Sequence, residues 1–478
     1  MKITIKLVKE EFQKAEKNLE SCWGLLVDLK TYSIAKNNFG ERFITFQDKL
    51  AFTIFSLQSI RDQILLEEKK YVQNKSDYEF EWFKSKMRSL ANLKKGIDSV
   101  VNIAKALGDA FAYFFYQFDL NLLSEHYSHQ RIINNSAGMG ERGELEFLKN
   151  VKHLDGHFTL FHGITNILRY GDFSFIDLKT MQVSQVGELK TKQTSVDTID
   201  LKLTLVKKHK TIHENNSVKF ENPELEKSRK GRQILGILNF LNEAEDPNKE
   251  NASAKLHSNY YFSEVEKLIK QSKIKASSVI QVSEGLVFFC IKFKKKSLFN
   301  KIFGSSNINK SLISDNLTDI VNKIVKSNSN NNGFIIGQLL YNPDFTDKNT
   351  PGTVPVFWHP INHKFLKQLY FAECCVIPIF NPIHLIENLE ELGFIVDSKY
   401  ADNSKKDLNI RPKKVVEKFD LFLSYIMNFL FAESFVINCV TEVLNQKYEH
   451  PTTRIEMKLQ QHIDIFDWEM QNSISKNS

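Results

Sequence analysis

The sequence predicts a multidomain α + α/β protein, with a helical N-terminal domain, an α/β central core and a mixed C-terminal domain. Three observations carry that prediction. Residues 1 to 130 repeat apolar residues at three- and four-residue spacing without turn clusters. After residue 150 the period changes to strand alternation. And 478 residues exceed what one ordinary hydrophobic core holds.

The first domain is assigned to residues 1–132, on stretches such as "EFQKAEKNLESCWGLLVDLK" and "NLKKGIDSVVNIAKALGDAFAYFFYQF". Its most apolar segment, 106–118, is shorter than the ~20 residues a membrane span needs and carries Asp109, so a buried helix is expected. The polar, Gly-containing break "INNSAGMG" opens the central core, 133–298. There a short helix, "ERGELEFLKNVKHL", precedes strand-like "HFTLFHGI" (157–164), "FSFID" and "QVSQVGEL". A helix over 223–244 follows, basic at its start, and "VIQVSEGLVFFCIKF" (279–293) reads as further buried strand. A flexible Asn/Ser-rich connection is assigned to 299–333 on "KSNSNNNG". In the mixed C-terminal domain, 334–478, "GTVPVFWHPINHKF" and "AECCVIPIF" suggest short strands before a strongly helical run from residue 413 to 448.

Hydrophobic residues at 42% and charged residues at 25% are those of a folded chain, and 64 basic against 57 acidic residues leave +7, which permits a nucleic-acid partner without requiring one. The start "MKITIKLVKEEF" lacks an apolar signal core, and Cys22, Cys290, Cys374, Cys375 and Cys439 show no CxxC or metal-ligand spacing. The expectation is a cytoplasmic protein with reduced, mostly buried thiols and no membrane partner.

Chemistry concentrates in "GDFSFIDLKTMQVSQVGELKTKQ", residues 171–193. If its two strands form a hairpin centred on Thr180, Asp172 lies opposite Glu188 and Asp177 opposite Val183. Alternation puts Lys190 on the face of Glu188. Two hard carboxylates suit Mg²⁺ or Mn²⁺, which leave coordination positions for water and phosphate oxygens. An adjacent ammonium offsets the charge that builds on a phosphorus under attack. Asp177 is excluded in that register, because the five residues from Val183 to Glu188 span about 17 Å of strand.

The order α-β-β-β-α-β, with Asp172, fifteen intervening residues and then Glu188-Leu189-Lys190 on an apolar strand, resembles the PD-(D/E)xK nuclease superfamily, the restriction-endonuclease-like fold, between residues 138 and 295. The resemblance implies a metal-dependent endonuclease. Asp172 and Glu188 would be metal ligands, Lys190 would position the attacking water, and a glutamate of the preceding helix, Glu144 with Glu141 as second choice, would add a metal contact. Gly171 stands where the family has proline. DNA is the implied substrate and an antiphage or restriction role the implied setting, with RNA, a second copy of the chain or a partner defence protein left open. Lys227, Arg229, Lys230 and Arg232 on the helix after the catalytic strand would touch phosphates. Gln233 follows them. The basic runs "KKHK" and "KFKKK" read as solvated faces.

Competing readings remain at this level. A catalytically inactive nuclease-like fold would serve as a nucleic-acid-binding or scaffold module. The sequence "GMGERG" satisfies GxGxxG but lacks the preceding strand that dinucleotide binding needs. His153, His157 and His162 straddle a helix-strand junction and read as scattered core or surface histidines.

Overall fold

The architecture is that of a computed structural model. It describes residues 5–31, 39–116, 126, 139–151, 153–154, 156–169, 171–178, 182–193, 199–207, 260–273, 277–293, 297–303, 335–337, 355–359, 361–398, 414–416, 419, 423, 426–427 and 430–445. Helix α1 (Ile5–Lys30) buries one stripe, Val8, Phe12, Ala15, Leu19, Cys22, Leu26 and Leu29, at the spacing of a single helix face. It packs on α2 (Phe39–Gln73) and α3 (Phe80–Phe115). Between Ile97 and Phe115 α3 is buried almost all round, which two neighbouring helices cannot achieve alone. The apolar stretch at 106–118 is therefore the central helix of the protein, and among the described residues no helix is long and apolar enough to cross a membrane.

What completes the cover of α3 is sheet on one side and the C-terminal region on another. After α4 (Met139–Asn150), the strands β1 (His153–Leu154), β2 (His157–Phe161), β3 (Phe173–Asp177), β4 (Gln182–Gln193) and β5 (Ile199–Lys207) form an antiparallel meander in sequence order. Phe43 of α2 and Phe111 and Phe115 of α3 pack on Phe158 of β2. Gln47 bridges to the same strand, donating to the Thr159 carbonyl at 2.8 Å and accepting the Phe161 N–H at 2.6 Å. The expected strand over 157–164 stops at Phe161, because His162–Ile164 turn into a 3-10 helix.

The remaining elements build a second sheet. Helix α5 (Phe262–Gln271) precedes β6 (Ser277–Gln281) and β7 (Leu286–Lys292); α6 (Leu298–Phe303), β8 (Ile335–Ile336), α7 (His363–Tyr370) and β9 (Cys374–Phe380) follow. Strand order is β6-β7-β9-β8. Residues 279–293, expected as further buried strand, thus lie in the β6–β7 hairpin, whose second strand pairs with 374–380. The cause lies in β7, whose first five residues are all buried and need neighbours as apolar as Val376 and Ile379. Helix α8 (Pro382–Glu391), the parallel pair β10 (Phe394–Val396) and β11 (Lys414–Val416), and α9 (Glu433–Asn445) complete the described chain.

Two further expectations are corrected. Part of "GTVPVFWHPINHKF" is a 3-10 turn, Val356–Trp358, followed by α7 instead of strands, and the start of the expected flexible connection is α6, whose Phe299 packs edge-on against Phe12 of α1. That 3-10 turn ties the C-terminal region to the helices. Trp358 Nε1 donates to the Ala110 carbonyl at 2.9 Å, Lys30 Nζ donates to the Phe357 and His359 carbonyls at 2.7 Å, and Trp23 packs on Phe357 and Tyr370. The helices and both sheets share one hydrophobic core. The thiols of Cys22, Cys290 and Cys374 are buried and free, as expected; the side chain of Cys439 lies outside the described residues.

Candidate active site

The β3–β4 hairpin sets the geometry. Phe173 pairs with Gly187, Ser174 with Val186 and Phe175 with Gln185, the register of a hairpin centred on Thr180, and its continuation brings Asp172 beside Glu188. A bulge between Phe175 and Ile176 then shifts the far end by one residue, so Asp177 pairs with Gln182 instead of Val183. Ser184 sits in the bulge and donates to the Phe175 carbonyl at 3.0 Å, which satisfies the acceptor the ladder loses. Asp177 is left at the end of β3 remote from Glu188.

Asp172 is held from every side. Gly171 turns the chain at φ 66°, where a Cβ would come within 2.8 Å of the Gly187 carbonyl oxygen, so glycine is required there. The Asp172 N–H donates to that same carbonyl at 2.8 Å, its own carbonyl accepts the His162 N–H at 2.9 Å, and Oδ2 accepts the Leu189 N–H at 2.6 Å. The carboxylate thus replaces a backbone acceptor at the end of the ladder and rests one peptide from Glu188.

Glu188 is 4% exposed and Lys190 52%, and they form an ion pair. The ammonium touches Oε1 without donating along a proper hydrogen-bond direction, so among the described residues this solvent-shielded oxygen lacks a hydrogen bond. A shielded carboxylate oxygen satisfied only by a half-exposed ammonium is costly to the fold unless something else binds there.

The register of the hairpin also fixes which face α4 covers. Along β4, alternation puts Glu188 and Lys190 on the face of Val186, and Val186 pairs with Ser174. Helix α4 lies on the opposite face: a Cβ on Gly143 would meet the Thr191 side chain, and Phe147 packs on Phe173 at 4.6 Å between ring centroids. The i, i+4 stripe of Gly143 and Phe147 fixes the rotation of the helix and leaves Glu144 beside it, half-buried. Among the described residues no three His, Cys, Asp or Glu side chains gather closely enough to hold a metal ion by themselves. The side chain of Glu141 lies outside the described residues, as do Lys227, Arg229, Lys230, Arg232 and Gln233.

One cluster escaped the sequence reading. His162, taken there for a scattered histidine, is buried beside Asp172; its Nε2 lies 2.6 Å from Ser174 Oγ and its Nδ1 3.1 Å from the Gly171 carbonyl. Tyr116, just past α3, reaches Ser174 Oγ at 3.0 Å and His126 Nε2 at 3.3 Å, and burial pushes its phenol up. His126 Nδ1 in turn accepts the Arg169 N–H at 3.0 Å. Tyr116 and Ser174 are 58 residues apart, and no spacing rule connects them.

No family model, curated protein or solved structure matches the chain. The assignment of chemistry therefore rests on these residues alone. As a donor set for Mg²⁺ they fit in kind: the Asp172 carboxylate accepts the N–H of the peptide that follows Glu188, and among the described residues one Glu188 oxygen is shielded and without a hydrogen bond. Two protein carboxylates are what this ion takes when water and phosphate fill the rest of its octahedron.

Proposed function

We propose that the protein is a metal-dependent nuclease that hydrolyses DNA phosphodiester bonds at Asp172, Glu188 and Lys190, as the resemblance to the PD-(D/E)xK superfamily implies. A single observation carries the reading: the Asp172 carboxylate is held against the Leu189 amide, next to a buried Glu188 whose only charge contact among the described residues is Lys190. Asp172 and Glu188 would hold the ion. Bound there, Mg²⁺ supplies charge to a phosphate oxygen and acidifies a water.

The chain's own groups do the rest. Lys190, half-exposed and paired with Glu188, would be free to leave that carboxylate if a metal cation satisfied it. Its ammonium then donates to the attacking water and to the phosphate, whose charge grows as the new oxygen–phosphorus bond forms. The attacking water gives up its proton to solvent, and the ester oxygen departs and takes up a proton from solvent. The +7 net charge favours approach of the polyanion.

The test is cleavage of plasmid and linear DNA with Mg²⁺ or Mn²⁺, in parallel with chelator. Wild-type protein should cut only with the ion, and Glu188→Gln and Lys190→Ala should lose at least about 100-fold in rate while melting within a few degrees of wild type. Cutting that persists in chelator refutes the metal mechanism. Salt-sensitive DNA binding without cleavage under any divalent ion would establish the inactive, binding-module reading instead.

A further inference from the structure

The buried cluster behind Asp172 has a determined direction. A backbone N–H can only donate, so the Arg169 amide makes Nδ1 of His126 an acceptor and puts the ring proton of the neutral imidazole on Nε2, facing Tyr116. At the other end a carbonyl can only accept, so Gly171 makes His162 carry its proton on Nδ1. Nε2 of neutral His162 then accepts from Ser174 at 2.6 Å, Ser174 accepts from Tyr116 at 3.0 Å, and Tyr116 accepts from His126 at 3.3 Å. Each link uses one proton, and the two backbone ends agree on the same direction.

This chain ends on the peptide that carries Asp172. His162 grips both adjoining carbonyls, that of Gly171 through Nδ1–H and that of Asp172 through its main-chain N–H. Ser174 and Tyr116 lie on the sheet face that Glu188 shares, and all four side chains are buried beyond reach of a substrate. We propose that His162 is a positioning residue for Asp172, locked as its Nδ1–H tautomer by Ser174, Tyr116 and His126, so that the carboxylate is held ready for the metal.

The consequence for activity rests on the nuclease reading; the consequence for the imidazole does not. Networks that orient ligating groups typically change metal affinity or activity by about 10–100-fold when broken. Two measurements on the full chain separate the claims. In the first, protein carrying ¹⁵N-histidine should show His162 as the neutral Nδ1–H tautomer, identified by loss of its signals in His162→Asn, and Ser174→Ala, which leaves only the Gly171 carbonyl to hold it, should weaken that preference. A wild-type His162 found as the Nε2–H tautomer or as the cation overturns the proposal.

In the second, the Mn²⁺ concentration for half-maximal cleavage should rise about 10-fold or more in both Ser174→Ala and Tyr116→Phe. Tyr116→Phe removes one oxygen and no packing, so it guards against misfolding of the alanine variant. Unchanged Mn²⁺ dependence in both variants overturns the positioning role while leaving the nuclease reading intact. Wild-type protein that neither cuts DNA nor binds Mn²⁺ overturns both.

Discussion

Asp109 sits wholly inside the protein on α3 and fastens the loop that leads from β2 to Asp172. Its Oδ1 accepts the backbone N–H groups of Asn166 at 2.6 Å and Ile167 at 3.1 Å, and Oδ2 accepts the Asn166 side-chain amide at 3.2 Å. Burial is the largest influence and pushes its pKa up to about 6, against the opposing pull of those donors and of Lys105. The folded state therefore favours the neutral acid. The stabilisation this gives is complete below the ordinary value of 3.8 and is lost as pH rises through about 6. A shift of that size corresponds to about 3 kcal/mol, at roughly 1.4 kcal/mol per pH unit.

Asp109→Asn isolates the charge. The amide oxygen still serves both backbone N–H groups, and Asn166 needs only to turn its own amide over to meet the new Nδ2. The variant should match wild type near pH 4 and exceed it by about 3 kcal/mol near pH 8. With an unfolding entropy of about 1 kcal/mol/K for a chain of this length, the melting temperature by calorimetry should rise by about 3 °C at pH 8 if unfolding is cooperative. A variant that melts below wild type at pH 8 and equal to it at pH 4 would refute the reasoning, for it would show an ionised Asp109 stabilised by Lys105 and its donors.

Asp172→Asn should abolish cleavage and Mn²⁺ binding, both measurable by titration, with little change in melting because asparagine still accepts the Leu189 N–H; Asp177→Asn, at the far end of β3, should leave both intact. Gly171→Ala should cost about 1–3 kcal/mol in denaturant unfolding, because the backbone is left-handed there and the new Cβ meets the Gly187 carbonyl. Wild-type stability after this change would mean that the turn at 171 relaxes freely. Trp358→Phe removes the indole N–H and leaves the Ala110 carbonyl without that donor, which should cost about 1–3 kcal/mol and speed hydrogen exchange at the end of α3.

The pairing of Asp172 with Glu188 and the shared face of Glu188 and Lys190 were legible in the sequence because both follow from a two-residue period and one hairpin centre. The burial of 106–118 was equally legible, since a segment apolar on all sides has no solvent face. Strand-length and turn errors, as at His162–Ile164 and Val356–Trp358, arose where apolar runs without period fit a strand or a buried 3-10 turn equally well.

Other features needed the tertiary structure. Which side of the sheet α4 covers depends on Gly143 meeting Thr191, a contact between distant elements that no local pattern announces. The pairing of β7 with β9 is decided by which apolar strand is available across the 81 residues between Lys292 and Cys374, and local pattern carries no information about that choice. The same holds for the chain from His126 through Tyr116 and Ser174 to His162. Each of its residues alone is an ordinary polar residue in an apolar neighbourhood, and only the approach of α3 to β3 gives each one the partner that its burial requires.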